Sequence, residues 1–283
     1  MKSLVIGTRG SPLALAQVDI ITGLLLEAHP SLPVERKIIK TSGDRFTEIS
    51  LSGGAGKGLF TKEIEEHLLA GEIHLAVHSL KDLPTQLPEG LTLAAMPARE
   101  DARDVLIGAS SLDALPKGAR VATSSVRRRA QLLAHRPDLK VQEIRGNIGT
   151  RLQEAGDFDA IILAAAGLKR LGLKVDYHPL NFDVMIPAVG QGIIACECRE
   201  SDLETQELLA AINDADTLAC AEAERVFLRA MGGGCQLPYA AFARKEGGTL
   251  RLIAARFEPN VRRADVTGSD PHEVGERAAK ELK

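Results

Sequence analysis

The chain has 283 residues, 45% of them hydrophobic, with a formal net charge of −3 and a pI near 6.2. That length suits two or three domains with real cores, and the acidic balance argues against a general nucleic-acid binder. Aromatic residues make up only 3% with no Trp, which disfavours base-stacking platforms, and no apolar run approaches the ~20 residues of a membrane span.

Leu4–Gly7 is the first predicted strand, and the residues leading into it lack a secretion-signal layout, so a cytoplasmic protein is expected. Thr8-Arg9-Gly10-Ser11-Pro12 follows, then an apolar-periodic helix from Leu13 to about Glu27, with Ser11 at its N-cap and Pro12 at its first position. Arg9 lies just ahead of that helix, whose free backbone N–H groups favour an anion. Val34–Lys40 is the next strand. Gly53-Gly54-Ala55-Gly56-Lys57-Gly58 invites comparison with a phosphate loop but breaks the pattern, since Leu51 replaces the first glycine and Gly58 stands where Ser or Thr should follow the lysine. It reads as a lid carrying Lys57, or equally as a plain glycine-rich surface loop, ahead of a helix over Phe60–Ala70.

Ile73–Val77 reads as a buried strand, and the segment after it, His78-Ser79-Leu80-Lys81-Asp82-Leu83-Pro84, leaves from its C-terminal end. Open α/β sheets bind ligands at such ends, so Ser79, Lys81 and Asp82 become site candidates. Taken alone, the same stretch reads as a solvated polar turn. Leu91–Ala95 gives another strand, and the charged crossing segment Pro97–Asp104 leads to a strand at Val105–Gly108, marking a domain boundary.

The second unit repeats the alternation: Arg120–Ala122 and a helix from Ser125, Val141–Ile144 and a helix from Ile148, Ala160–Leu163 and a helix to about Leu171. Pro187–Gly192 is a second break. Gly190-x-Gly192-x-x-Ala195 formally matches a dinucleotide fingerprint, but it precedes the apolar run Ile193–Cys198 instead of opening a helix, and is discounted. Cys196 and Cys198 alternate along that run and face one way, which burial explains better than metal binding. Asp216–Arg229 reads as a helix, followed by strands at Tyr239–Arg244, Thr249–Arg256 and Arg262–Thr267 and a closing helix from Pro271, a small α+β domain. With Cys220 and Cys235, the four cysteines give no disulfide framework, and the seven histidines form no ligand set, so no metal is expected.

Chemistry-bearing residues recur at strand ends in the second unit. Thr123-Ser124-Ser125-Val126-Arg127-Arg128 places hydroxyls and two guanidiniums at the start of one helix, and Arg145-Gly146-Asn147-Ile148-Gly149-Thr150-Arg151 does the same at the next. Lys169-Arg170 closes the third. Cations at helix starts oppose the dipole unless an anion binds there, and Arg grips carboxylates and phosphates by paired hydrogen bonds. A single such Arg is a solvated surface residue; the repetition, with Arg9 in the matching place of the first unit, predicts a polyanionic ligand. Gly232-Gly233-Gly234-Cys235-Gln236-Leu237-Pro238 can present a sulfur, although a lone cysteine is more often a small core residue.

Seven motifs, in order over nearly the whole chain, resemble the hydroxymethylbilane synthase (porphobilinogen deaminase) family: Thr8–Leu15, Gly56–Phe60, His78–Pro84, Ser124–Arg128, Arg145–Arg151, Ala166–Leu171 and Gly234–Pro238. The resemblance implies two lobes like type II periplasmic binding proteins with the active cleft between them, plus a small C-terminal α+β domain. With the breaks above, lobe 1 is expected at residues 1–97 and 192–212, lobe 2 at 98–191, and the third domain at 213–283. It also implies stepwise head-to-tail condensation of porphobilinogen with loss of ammonia, on a dipyrromethane primer held through a thioether. Cys235 then carries the primer, and Asp82 handles pyrrole nitrogens and a cationic intermediate. Arg9, Ser11, Lys81, Arg127, Arg128, Arg145, Arg151 and Arg170 bind acetate and propionate side chains, with Lys57, Ser79, Thr123, Ser124, Ser125, Gly146, Asn147 and Gln191 completing the binding set. The partners so implied are porphobilinogen and the growing oligopyrrole, with no nucleic acid and no membrane, on a monomer. A two-lobed organic-anion binding protein would share the fold and the arginines, but has no use for Cys235 in a glycine loop or for a third domain.

Overall fold

A computed structural model of the chain describes residues 3–42, 61–233 and 237–283. It divides into two compact units, Met1–Arg99 with Ile193–Leu218 and Glu100–Gly192 with Ala219–Lys283.

The first unit opens with β1 (Leu4–Thr8), α1 (Pro12–Ala28) and β2 (Val34–Ile38). Ser11 Oγ accepts a hydrogen bond from the Ala14 N–H, and Pro12 gives up an amide that a helix start leaves unpaired anyway, so α1 begins where the sequence predicts. Val18, Ile21 and Leu25 of α1 pack on Leu4, Ile6, Leu75 and Val77 in one core. Then come α2 (Lys62–Leu69), β3 (Leu75–Ser79), one 3₁₀ turn over Leu80–Asp82, and β4 (Leu91–Ala95). β1 pairs in parallel with both β2 and β3.

The second unit carries β5 (Asp104–Ile107), β6 (Arg120–Ala122), α3 (Val126–His135), β7 (Lys140–Gln142), α4 (Ile148–Gln153), β8 (Ala160–Ala164), α5 (Ala165–Arg170) and the two-residue β9 (His178–Pro179). Its sheet order is β7-β6-β8-β5-β9, with β6 parallel to β7 and β8, and β5 antiparallel to β8 and β9. The chain then re-enters the first unit as β10 (Ile194–Arg199), antiparallel to β3 and β4, which completes the order β2-β1-β3-β10-β4. Each sheet is therefore mostly parallel with an antiparallel strand inserted beside the third parallel one, the two-lobed arrangement expected from the sequence. Gly192, just before β10, sits at a φ of +85°, and a Cβ there would run into the backbone carbonyl of Glu100. Close backbone approach explains this glycine, and no dinucleotide loop is formed.

After α6 (Leu203–Ala210) and α7 (Ala215–Ala230), strands β11 (Tyr239–Glu246), β12 (Thr249–Arg256) and β13 (Arg262–Gly268) form an antiparallel meander covered by α8 (Pro271–Leu282). Phe227 and Cys220 of α7 pack with Leu252, Ala254, Val274 and Leu282 to make that core. The small C-terminal α+β domain is present as expected.

One strand lies differently in a way that matters. The strand predicted over Ile73–Val77 runs two residues further along, because β10 pairs Ala195 with His78 and Ile194 with Ser79. His78 and Ser79 thus belong to the sheet, and only Leu80–Asp82 form the turn. The helix α6 and the short β9 have no counterpart in the sequence reading. Cys196 and Cys198 are buried on one face of β10 beside Val77, as their alternation predicted. Among the described residues no helix is long and apolar enough to cross a membrane.

Candidate functional site

In the first unit the candidates collect at one sheet edge because β1 and β3 are parallel neighbours. Arg9 and Ser11 follow the C-terminal end of β1, while Ser79, Lys81 and Asp82 lie at the end of β3. The Ser79 hydroxyl accepts a hydrogen bond from Gln17 Nε2 of α1 at 2.8 Å, tying the two strand ends together. Leu80 is buried, and its N–H donates to the Ile193 carbonyl at 3.0 Å, so the turn is anchored from below. Asp82 itself is exposed and Lys81 half-buried. A carboxylate on a short turn, fixed by a buried leucine on each side, is held in place without being consumed by the fold.

In the second unit β7, β6 and β8 are parallel neighbours, so the segments 123–128, 145–151 and 165–170 leave the sheet at a single edge. β5 runs the other way and begins there, which brings Asp104 opposite Ala164. Asp104 is fully buried and accepts four hydrogen bonds: Oδ2 from Arg127 Nη1 at 2.7 Å, and Oδ1 from Arg128 Nε at 3.0 Å, Arg128 Nη2 at 2.7 Å and Gln191 Nε2 at 2.9 Å. Burial works against the charged carboxylate, but the Arg127 and Arg128 charges outweigh it and hold its pKa far below the usual range. Arg127 also donates to the Ile186 carbonyl, and Arg128 to that of Ile162.

Sequence reasoning placed Arg127 and Arg128 but missed Asp104, which it read only as part of a charged crossing segment. The available signal was an acid heading the apolar run Val105-Leu106-Ile107, where a strand start carries a charge into a core. Asp104 supplies part of the negative charge that two cations at a helix start require.

The hydroxyl, amide and cation candidates also carry parts of the fold. Ser125 caps α3 by accepting from the Arg128 N–H, and Asn147 caps α4 by accepting from the Thr150 N–H, so both side chains are used in starting helices. Ser124 Oγ bridges the Ile144 carbonyl and N–H, and Thr123 Oγ1 accepts from the Ser125 N–H. Lys169 and Arg170 stand in the last turn of α5, and cations at that end favour the dipole. Gly146, at a φ of +92°, turns tightly enough that a Cβ would lie 2.8 Å from Thr150 Cβ, which accounts for the glycine between Arg145 and Asn147.

The cations are unequally satisfied. Arg145 is exposed and paired with Glu143 at 2.8 Å. Lys169 pairs with Glu100 at 2.9 Å. Arg151 donates to the Gly146 carbonyl and Arg170 to the Gly192 carbonyl, and among the described residues neither has a carboxylate within ion-pair distance. Burial lowers both pKa values, with the Arg128 charge adding to the effect on Arg151, while Glu100 partly offsets it for Arg170, which is pushed down to about 10. Half-buried guanidiniums without a counter-ion are stabilised by an incoming anion. Gln191 is buried and supports Asp104, so it acts behind the arginines. Lys57 and Cys235 lie outside the described residues.

The pattern fits the comparisons with known proteins. Residues 4–207 match the family model "Porphobilinogen deaminase, dipyromethane cofactor binding domain", and residues 218–283 match "Porphobilinogen deaminase, C-terminal domain". The chain belongs to the porphobilinogen deaminase family. Relatives named porphobilinogen deaminase from Geobacillus kaustophilus and Bacillus subtilis are 50% and 48% identical, over 99% of this chain and 93% and 92% of their own lengths. Among solved structures, a nutrient-binding protein from Burkholderia cenocepacia bound to methionine aligns with a TM-score of 0.46 at 13% identity, covering 75% of this chain and 92% of its own. Arg127 and Arg128 share one fully buried carboxylate, Asp104, while half-buried Arg151 and Arg170 have none within ion-pair distance among the described residues, and that excess of donors suits an anionic ligand.

Proposed function

We propose that this chain is a transferase that joins porphobilinogen units head to tail, with loss of ammonia at each step, to give the linear tetrapyrrole hydroxymethylbilane for porphyrin and haem formation. The observation that carries this reading is the set of strand-end guanidiniums, in excess of their carboxylates, in a chain that matches the family over its full length. Each pyrrole brings an acetate and a propionate, so a lengthening product needs successive cations. Arg127 and Arg128, backed by Gln191 and framed by Thr123, Ser124 and Ser125, hold the dipyrromethane carboxylates. Arg9, Ser11, Lys57, Ser79, Lys81, Arg145, Gly146, Asn147, Arg151 and Arg170 receive those of porphobilinogen and later units.

Dipyrromethane, when bound, supplies the pyrrole terminus that new units extend, and Cys235 carries it through a thioether. Asp82 accepts a hydrogen bond from the substrate pyrrole N–H. As the bond from the aminomethyl carbon to nitrogen breaks, ammonia leaves with the bonding pair and positive charge spreads over the ring and methylene. An ionised carboxylate fixed beside that charge stabilises it in the transition state more than in the ground state. Water releases the finished tetrapyrrole.

Functional domains at residues 1–97 with 192–212, 98–191 and 213–283 are part of the same reading. So are a cytoplasmic location, a monomeric state, and the lack of nucleic-acid and membrane partners. Reduced, buried Cys196, Cys198 and Cys220 support the location, and the net charge of −3 supports the absence of a nucleic-acid partner.

The purified chain is expected to weigh more than its sequence mass by one dipyrromethane. Intact-mass spectrometry should find that increment lost in Cys235→Ser and kept in Cys196→Ser, Cys198→Ser and Cys220→Ser. An active chain at its bare sequence mass would overturn the thioether assignment, and an inactive chain at that mass would favour a non-catalytic organic-anion binder.

A further inference from the structure

Two carboxylates and an imidazole lie buried in the first unit and serve none of the roles above. His78 Nε2 approaches Glu197 Oε2 to 3.2 Å, with side chains 6% and 0% exposed. The two residues share a face of the sheet, because Glu197 of β10 opposes Ala76, two positions from His78 on β3. α2 covers that face, packing Ile64 and Leu68 against Ala76 and Leu91. Glu65 of α2 is buried too; burial first, then the Glu197 charge, raises its carboxyl pKa, while the Thr61 hydroxyl and then His78 pull the other way.

As placed, His78 Nε2, both Glu197 carboxylate oxygens and Glu65 Oε1 make no hydrogen bond, although all are buried. Buried polar groups in that state are costly to folding and are concentrated where a role requires them. Other charges on the packed elements are directed elsewhere. Lys62 faces Glu66, Glu63 holds Ser42, His67 holds Glu72, and Arg199 of β10 donates to the Leu68 and Ile73 carbonyls and to Asp202. β1 and β4 contribute no titratable side chain.

We propose that His78, Glu197 and Glu65 form a proton-sharing cluster that positions the turn carrying Lys81 and Asp82, with His78 as a positioning residue that does not touch substrate. His78 immediately precedes Ser79, and β10 holds both parts of the device. Its Glu197 meets the imidazole, and its first residue pairs with Ser79. A change in the charge balance of the cluster shifts the end of β3, and Asp82 moves with it. The proposal rests on the assignment of Asp82 to the reaction.

The test uses the holoenzyme and three amide replacements of similar shape. Glu197→Gln and His78→Gln are each expected to lower kcat by roughly 10-fold to 100-fold, the scale of a small misplacement of a reacting group, with KM little changed. One limb of the pH profile of kcat should move in both. The double variant pairs two neutral amides and should recover part of the loss. Glu65→Gln should fold, move the same limb, and gain in Tm relative to the native chain as pH rises. The sign follows from the raised Glu65 value: its stabilising protonated form is lost from the native chain as pH climbs above the ordinary 4.5, and the amide has nothing to lose. Should the other variants not fold, Glu65→Gln decides alone. Native kcat and an unmoved pH profile in folded Glu197→Gln or Glu65→Gln would overturn the proposal, as would strictly multiplicative losses in the double variant. A native chain without turnover would overturn the Asp82 assignment along with it.

Discussion

Asp82→Asn is expected to fold like the native chain and to lose turnover on the order of 10³-fold, the scale of removing a preorganised charge from a transition state. The fold gives a reason to expect the separation. Asp82 is exposed, and the turn beneath it is set by Leu80 and Leu83, both buried, and by the Leu80 N–H to Ile193 bond. Surface substitutions of this kind stay within about 0.5 kcal/mol, so Tm should hold within about 2 °C. Asp82→Glu keeps the charge but displaces it by a methylene, and a displacement of about 1 Å costs ~10²-fold. The order native, Glu, Asn marks an electrostatic role. A turn residue would give the reverse order, with Asn tolerated, and an active Asp82→Asn enzyme would remove Asp82 from the mechanism. Turnover and Tm measured on both variants decide between them.

Asp104→Asn should do the opposite and strike the fold together with the activity. It leaves two buried guanidiniums, Arg127 and Arg128, without the carboxylate that binds both. Removing one partner of a buried ion pair typically costs about 3–5 kcal/mol, or on the order of 10 °C in Tm for a chain of this size. The pH dependence has a definite sign. Because the folded-state pKa of Asp104 is depressed, its contribution is complete above the ordinary value of 3.8 and fades as pH falls below it. The Tm gap between the native chain and Asp104→Asn is therefore widest near neutral pH and narrows in acid. A gap that is constant with pH, or a variant as stable as the native chain, would show that the arginines find other partners.

Much of this arrangement was legible in local sequence. Ser11-Pro12 announces α1, alternating βα signals announce two sheets, and residues following apolar runs lead to the strand-end segments that hold most candidates. Parallel neighbours then bring those segments to common edges without further information, which is why Arg9 and Asp82, or Arg128 and Arg151, could be grouped from order alone. What stayed hidden depends on contacts between distant strands. Asp104 becomes meaningful only when β5 is known to run antiparallel beside β8. Glu197 reads as one acid between two cysteines until β10 is seen to pair with β3, which also extends β3 through Ser79. The caps at Ser125 and Asn147 show only in the hydrogen bonds, because capping and ligand binding draw on the same hydroxyl or amide.

Whether this chain builds a covalent oligopyrrole from porphobilinogen can be read from the intact mass of the purified protein after brief exposure to that substrate. A ladder of species above the starting mass, evenly spaced by one porphobilinogen less ammonia, is expected. A single unshifted mass after exposure, with the porphobilinogen left unconsumed, would contradict that activity.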